Sequence, residues 1–372
     1  VKSARADAVF EGGGVKGIAF AGAIAAAERD AGVKEWVNVA GTSAGSIVAA
    51  LLVAGYDAAG LQKLLAGAQY SRFADTGAGG KWIGGLGNAV FRRRGMAPGR
   101  YFVQWMREQL AASPLAKELG KTELTFADVK RRDLPARADL TDITDVQYER
   151  TLYRLHVIGS DITTGRMIIM PDDLPDYTDA AGKPLDKDTF PLVEAVRMSM
   201  SYPFLFDPVV LYRDGKPVYV VDGGLLSNFP IWLFDGPHPT RPTWGFRLHG
   251  GTSVDEGLPY RKIPRPFWEV PLLKAMFSAA TEAWDREQLS HATSTRTVSM
   301  PTHSISTTDF GLTRADADSL YAWGQNAAHD FFTAPDQQAY INSFGKALEA
   351  PKASDGKPPA RPAVKDGAAR VS

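Results

Sequence analysis

The chain of 372 residues contains no cysteine, which excludes disulfides, thiolate catalysis and cysteine-held zinc, and leaves the redox compartment undetermined. Neither charge is in excess. Lys plus Arg and Asp plus Glu both number 42, so no net field draws the whole molecule to nucleic acid or to an anionic membrane. No apolar run reaches the length that spans a bilayer; the longest, around Ile47 to Val53, falls well short. A basic-then-apolar secretion leader is not visible, and because residue 1 is Val rather than Met, an upstream segment could have been removed. The expectation is a cytoplasmic protein with peripheral membrane contact, secretion by another route staying open. There is no internal repeat and no calcium-loop pattern, and neither a metal nor a cofactor is expected. What is left is an ordinary soluble composition on a chain long enough to bury a sizeable core.

Apolar Ala8 to Phe10 lead into Gly12, and Ile18, Phe20, Ala21 and Ile24 to Ala27 carry a helical pattern that Gly32 stops. Trp36 to Val39 predict a second strand running into Gly41, and Ser46 to Ala54 an apolar helix closed by Gly55. Strand, helix, strand, helix is an α/β opening with a parallel sheet. Further strands are predicted at Leu152 to Ile158, Met167 to Met170, Val218 to Val221 and Trp244 to Leu248. Helices are predicted over Tyr101 to Leu110, Val193 to Met198 and Ala315 to Phe332, with another apolar stripe from Leu273 to Trp284. Residues 70–99 turn Gly-rich around isolated Trp82, Ile83, Leu86, Val90 and Phe91 before Arg92-Arg93-Arg94, and read as a lid or a surface excursion. The expected layout is a catalytic domain over 1–345, with a lid or insertion at about 70–150, and a disordered tail over 346–372.

Three glycine-framed pieces carry chemistry. Gly41-Thr42-Ser43-Ala44-Gly45 fits a nucleophile elbow, in which small residues flank a serine on a tight strand-to-helix turn. The helix after Ser43 aims its dipole and free N–H groups at charge developing beside it. Gly12-Gly13-Gly14-Val15-Lys16-Gly17 also satisfies the G-x-G-x-x-G dinucleotide pattern. That reading needs an acidic residue closing the second strand, and here the strand closes on the serine elbow instead, with Glu28 and Asp30 on the preceding helix. The glycines are therefore assigned to an oxyanion hole, where bare backbone lets N–H groups approach a tetrahedral intermediate. Asp222-Gly223-Gly224, about 180 residues after the serine, ends an apolar strand. An Asp-Gly pair is also a common turn. None of the six histidines, His156, His238, His249, His291, His303 and His329, lies in a glycine-framed setting.

In this order the pieces resemble the patatin-like phospholipases, whose pattern is a glycine-rich loop with a basic residue, a G-x-S-x-G elbow and a D-G-[GA] motif. The resemblance extends to Ser199-Met200-Ser201-Tyr202-Pro203 and to Asn228-Phe229-Pro230, and covers roughly residues 7 to 248. It implies a three-layer α/β/α fold with a mostly parallel central sheet flanked by helices, and a Ser-Asp dyad without histidine. By that resemblance Ser43 is the nucleophile, Asp222 the base, and Gly12, Gly13, Gly14 and the Ala44 N–H belong to the oxyanion hole. Lys16, Gly17, Gly41, Gly45, Gly223 and Gly224 complete the motifs. Lys16 stands where many members carry arginine, and either assists anion binding or is simply exposed.

The expected activity is release of fatty acid from a phospholipid or related acyl ester through an acyl-enzyme. An acyltransferase sharing that intermediate is the nearest alternative; a nucleotide-binding protein and a non-catalytic lipid-binding module are the others. Trp82 to Phe91 and Arg92 to Arg94 are the expected contact with a phospholipid surface. Nucleic acid is not an expected partner.

Overall fold

The computed structural model describes residues 5–73, 98–134, 144–249 and 295–349, less 204, 237, 238, 304, 306, 308 and 310. Eight strands form one sheet: β1 (Arg5–Phe10), β2 (Glu35–Thr42), β3 (Leu155–Asp161), β4 (Arg166–Met170), β5 (Val209–Arg213), β6 (Lys216–Asp222), β7 (Thr243–His249) and β8 (Thr297–Pro301). β1 and β2 are buried from their second residue onward. Strands covered on both faces have no solvent side to alternate with, which is why they read as unbroken apolar runs.

The helices that position the site are α1 (Ile18–Ala26), α2 (Ala44–Val53), α3 (Ala58–Gly67), α4 (Arg100–Ala111), α5 (Leu192–Ser199), α6 (Arg314–Thr333) and α7 (Pro335–Glu349). β1, β2 and β3 lie side by side and parallel. Both crossovers run in one direction, so right-handed connections put α1 and α2 on one face of the sheet. Every residue of α2 is buried. α1 crosses α6 at backbone contact: a Cβ on Gly22 would strike the Tyr321 carbonyl, and one on Gly324 the Ala19 carbonyl. On the opposite face Val9, Ala40, Ile158 and Ile169 are covered by Phe229, Ile231 and Leu233.

The part of the sheet that matters for function is the edge of β3. β4 runs antiparallel along Val157 to Asp161 on one side of this strand. β2 pairs with Leu155 to Ile158 and β6 with Gly159 to Asp161. Each of these overlaps β4 in register, so both must occupy the edge that β4 leaves free. A parallel and an antiparallel strand thus meet end to end, with Thr42 opposite Ile158 and Asp222 opposite Gly159.

The sheet is mixed and mostly parallel, with flanking helices, as expected; among the described residues the Phe229–Phe234 segment, with the short helical turn Ile231–Phe234, covers part of the second face. β5 and β8 have no counterpart in the sequence prediction. β3 begins at Leu155 and not at Leu152, because Asp145–Leu152 is a helix started by a Thr144 and Gln147 capping box. Residues 98–134, expected within a lid or insertion, put Phe102, Met106, Leu110 and Phe126 into the main core. Helix α7 runs to Glu349, and the tail was expected from 346. The Trp82 to Arg94 segment, the Leu273 to Trp284 stripe and residues 350–372 lie outside the described residues. No helix among the described residues is long and apolar enough to cross a membrane.

Candidate active site

Ser43 is the single residue between the end of β2 and the start of α2, and its backbone sits at φ 51°, ψ −125°. A side chain rarely tolerates that conformation, and surrounding structure must enforce it. The two flanking glycines do so by close approach. A Cβ on Gly41 would collide with the Gly45 carbonyl, and one on Gly45 with the carbonyls of Phe10 and Glu11. Ser46 fixes the first turn of α2, its N–H at 2.9 Å and its hydroxyl at 2.6 Å both donating to the Ser43 carbonyl. The Ser43 N–H points away from both elements and donates to Ser199 Oγ at 2.9 Å.

Asp222 closes β6 and is 2% exposed, beside a Ser43 that is 9% exposed. Gly223 is forced by its neighbours, since a Cβ there would strike the Ile158 carbonyl at the junction of β2 and β3. Of the two carboxylate oxygens, Oδ1 accepts the Gly224 N–H at 2.8 Å. Oδ2 is buried without a hydrogen-bond partner. Burial pushes the Asp222 carboxyl up to about 6, against the Ser43 hydroxyl and the Gly224 N–H, which both favour the ionised form. The Ser43 hydroxyl is thus near enough to act on Asp222, while its own hydrogen bond goes to Met200 Sδ at 3.7 Å.

The glycine loop between β1 and α1 borders the elbow. A Cβ placed on Gly12 would lie 3.1 Å from Ser43 Cβ. The N–H of Gly12, expected in the oxyanion hole, is already committed: it donates to the Asn228 carbonyl at 3.1 Å, and Asn228 Nδ2 returns a bond to the Gly12 carbonyl at 3.1 Å. Gly12 is therefore a clamp point and not a donor to an oxyanion. Gly13 and Gly14 donate their N–H groups to no protein acceptor among the described residues, and neither does Ala44 at the first position of α2. Gly14 has φ 57°, and a Cβ there would strike the Thr307 carbonyl. Gly17 packs on Ala44, and half-buried Lys16 sits in the short helical turn Gly14–Gly17, its N–H donating to the Gly13 carbonyl at 3.3 Å. Glu11, buried at the root of the loop, accepts the Leu248 N–H at 2.5 Å and ties the loop to β7.

The structure thus brings Ser43, Asp222, Gly12 to Gly14 and Ala44 into one place. Among the described residues no histidine hydrogen-bonds Ser43 or Asp222. His156 is fully buried on β3 against Phe234, and its nearest carboxylate is Asp172 at 3.8 Å. Sequence reasoning gave no role to Ser199, Met200 or Asn228. Their only signal was position inside two motif blocks of the resemblance.

A hydroxyl on a strained elbow, a buried carboxylate oxygen and a loop of open N–H groups thus meet at one end of a mostly parallel sheet. The family model described as Patatin-like phospholipase matches residues 8–235. The chain belongs to the patatin-like phospholipase family, and is a lipolytic hydrolase by that membership. It is 31% identical over 331 residues to the uncharacterized protein YqhO of Bacillus subtilis strain 168, an alignment covering 87% of this chain and 97% of YqhO. Among solved structures it is similar to VipD from Legionella pneumophila, at 16% identity and a TM-score of 0.47, over 88% of this chain and 67% of VipD. It is also similar to ExoU in its complex with SpcU from the type III secretion system of Pseudomonas aeruginosa, at 18% identity and a TM-score of 0.41. That match covers 89% of this chain and about half, 51%, of the other. Likenesses this distant carry no functional information beyond the family.

Proposed function

We propose that the chain hydrolyses the acyl ester bond of a phospholipid or related lipid with Ser43 as nucleophile and Asp222 as its base. Asp222 Oδ2 takes the Ser43 proton as Oγ attacks the ester carbonyl, and the carbonyl π electrons move onto oxygen. The resulting oxyanion is held by the N–H groups of Gly13, Gly14 and Ala44, with the N-terminal end of α2 behind them. Collapse breaks the ester C–O bond, and the departing alkoxide takes the proton from Asp222. Water then attacks the acyl-serine with Asp222 again as base, releasing fatty acid and returning the proton to Ser43.

One observation carries the reading: a buried carboxylate oxygen beside the hydroxyl of a strained elbow serine has no other partner. Aspartate at its ordinary pKa is a weak base. Here burial lifts it to about 6, toward the range in which proton transfer from a hydroxyl becomes efficient without losing the charged form at neutral pH. The remaining rate has to come from positioning and from the donors aimed at the oxyanion.

The test is a panel of p-nitrophenyl esters and phospholipids with wild type, Ser43→Ala and Asp222→Asn, run beside an active-site fluorophosphonate probe. Hydrolysis and probe labelling that both disappear in Ser43→Ala support the reading. Turnover that survives in Ser43→Ala removes it.

A further inference from the structure

We infer that the turn leaving α5 sets the spacing of the two reacting side chains, and that Ser199 is the positioning residue for Ser43; this rests on the hydrolase reading above. The end-to-end meeting of β2 and β6 poses a problem that the sheet itself does not solve. Ser43 lies beyond the last paired residue of β2, and its N–H is satisfied neither by the sheet nor by α2. The turn after α5 spans that junction. Ser199 Oγ accepts the Ser43 N–H at 2.9 Å, Met200 Sδ accepts the Ser43 hydroxyl at 3.7 Å, and the Ser201 carbonyl accepts the Asp222 N–H at 2.9 Å. Three consecutive residues thereby touch both the proposed nucleophile and the proposed base.

The turn is itself fixed from below. The Ser201 hydroxyl donates to the Arg197 carbonyl at 3.0 Å and accepts from Arg197 Nη1 at 2.6 Å. Arg197 Nη2 reaches the carbonyls of Pro98 at 3.1 Å and Asp207 at 3.0 Å. Ser199 and Ser201 are fully buried, so water does not stand ready to replace a lost hydroxyl. The Ser199 hydroxyl acts on the nucleophile's own backbone, at the one residue of the elbow whose φ is unfavourable. Removing it leaves a buried N–H without an acceptor and frees the elbow to relax. A reacting atom displaced by about 1 Å costs on the order of 100-fold in rate.

The experiment compares wild type, Ser199→Ala and Ser199→Thr on a water-soluble p-nitrophenyl ester, reading kcat and KM separately. Thermal unfolding and hydrogen-exchange mass spectrometry of the peptide spanning Ser43 accompany it. Ser199→Ala should lower kcat by about 10- to 100-fold with KM within about twofold, because the hydroxyl meets no substrate atom. Exchange at the Ser43 amide should quicken while the melting profile stays cooperative, and Ser199→Thr, which keeps the acceptor, should recover most of kcat. A kcat within threefold of wild type, or an unchanged exchange rate at Ser43, overturns the inference even in an active enzyme. Faster exchange in Ser199→Ala together with no Ser43-dependent turnover in wild type sinks the hydrolase reading instead, leaving the backbone role of Ser199 standing.

Discussion

Replacing Asp222 by Asn separates what the carboxylate does for catalysis from what its burial costs the fold. The amide is isosteric and its Oδ1 can keep the 2.8 Å bond from the Gly224 N–H, so packing is preserved while the basic oxygen is lost. Asp222 ionises near pH 6 in the folded chain against an ordinary 3.8. The gap is about two pH units, and at about 1.4 kcal/mol each the buried charge costs the folded state roughly 3 kcal/mol. The folded chain holds this proton more tightly than the unfolded chain does, so the contribution is destabilising as pH rises. It is absent below about pH 3.8 and complete above about pH 6. The stability of Asp222→Asn relative to wild type should therefore rise by roughly 1.4 kcal/mol from pH 5 to pH 8, read by denaturant unfolding. Activity should move the other way. Wild-type kcat/KM should climb about tenfold per pH unit below pH 6 and level off above it, and the variant should lose on the order of 10³-fold or more at pH 8. A flat profile between pH 5 and 8, or a stability difference that does not change with pH, refutes the assignment of Asp222 as a buried base.

Ser43→Gly should be more stable than Ser43→Ala by about 1–3 kcal/mol, because only glycine occupies φ 51°, ψ −125° without strain; both should be inactive, and equal melting temperatures would show the elbow to be unstrained. Asn228→Ala removes the side-chain bond to the Gly12 carbonyl, and should lower kcat by about tenfold with little change in melting temperature. Gly324→Ala forces a Cβ into the Ala19 carbonyl, and should cost about 1–3 kcal/mol or more by pushing α1 and α6 apart; a wild-type melting curve would disprove the close crossing.

Much of the site was legible because glycine cannot be replaced where backbones touch. Gly41, Gly45 and Gly223 each face a carbonyl that leaves no room for a Cβ, and that constraint prints itself as motif letters. The strand and helix around Ser43 were legible as well, since Ile47 to Val53 of α2 and most of the buried part of β2 are apolar. β5 was missed although its signal was present. Asp214 and Gly215 both have positive φ, at 51° and 72°, the two-residue hairpin turn that an Asp-Gly pair favours, and it joins β5 to β6. Gly12 was assigned the wrong duty because sequence shows that a glycine is needed and not which way its N–H points. Ser199 and Asn228 were silent for a related reason: each acts by a hydrogen bond to backbone more than 150 residues away, and a backbone partner leaves no trace in its own side chain.

The order of the motifs along the chain follows from the edge of β3. A base on the strand beside the nucleophile, running parallel to it, would end level with the nucleophile's strand but one strand spacing away, about 4.8 Å to the side. Here β6 arrives antiparallel on the same edge, so its C-terminal residue faces the end of β2 along a single line. Thr42 and Asp222 take consecutive positions on β3, Ile158 and Gly159. One residue step of β3 thus sets Thr42 against Asp222, and leaves Ser43, beyond the last pair of β2, to be placed by the turn after α5. Such a meeting leaves little space between the chain ends, and a Cβ on Gly223 would strike the Ile158 carbonyl and crowd the Thr42 side chain. It also leaves the Ser43 amide outside the sheet, where a hydroxyl from the end of α5 accepts it. In the proposed dyad, burial raises the Asp222 carboxyl against the opposing pull of the Ser43 hydroxyl and the Gly224 N–H.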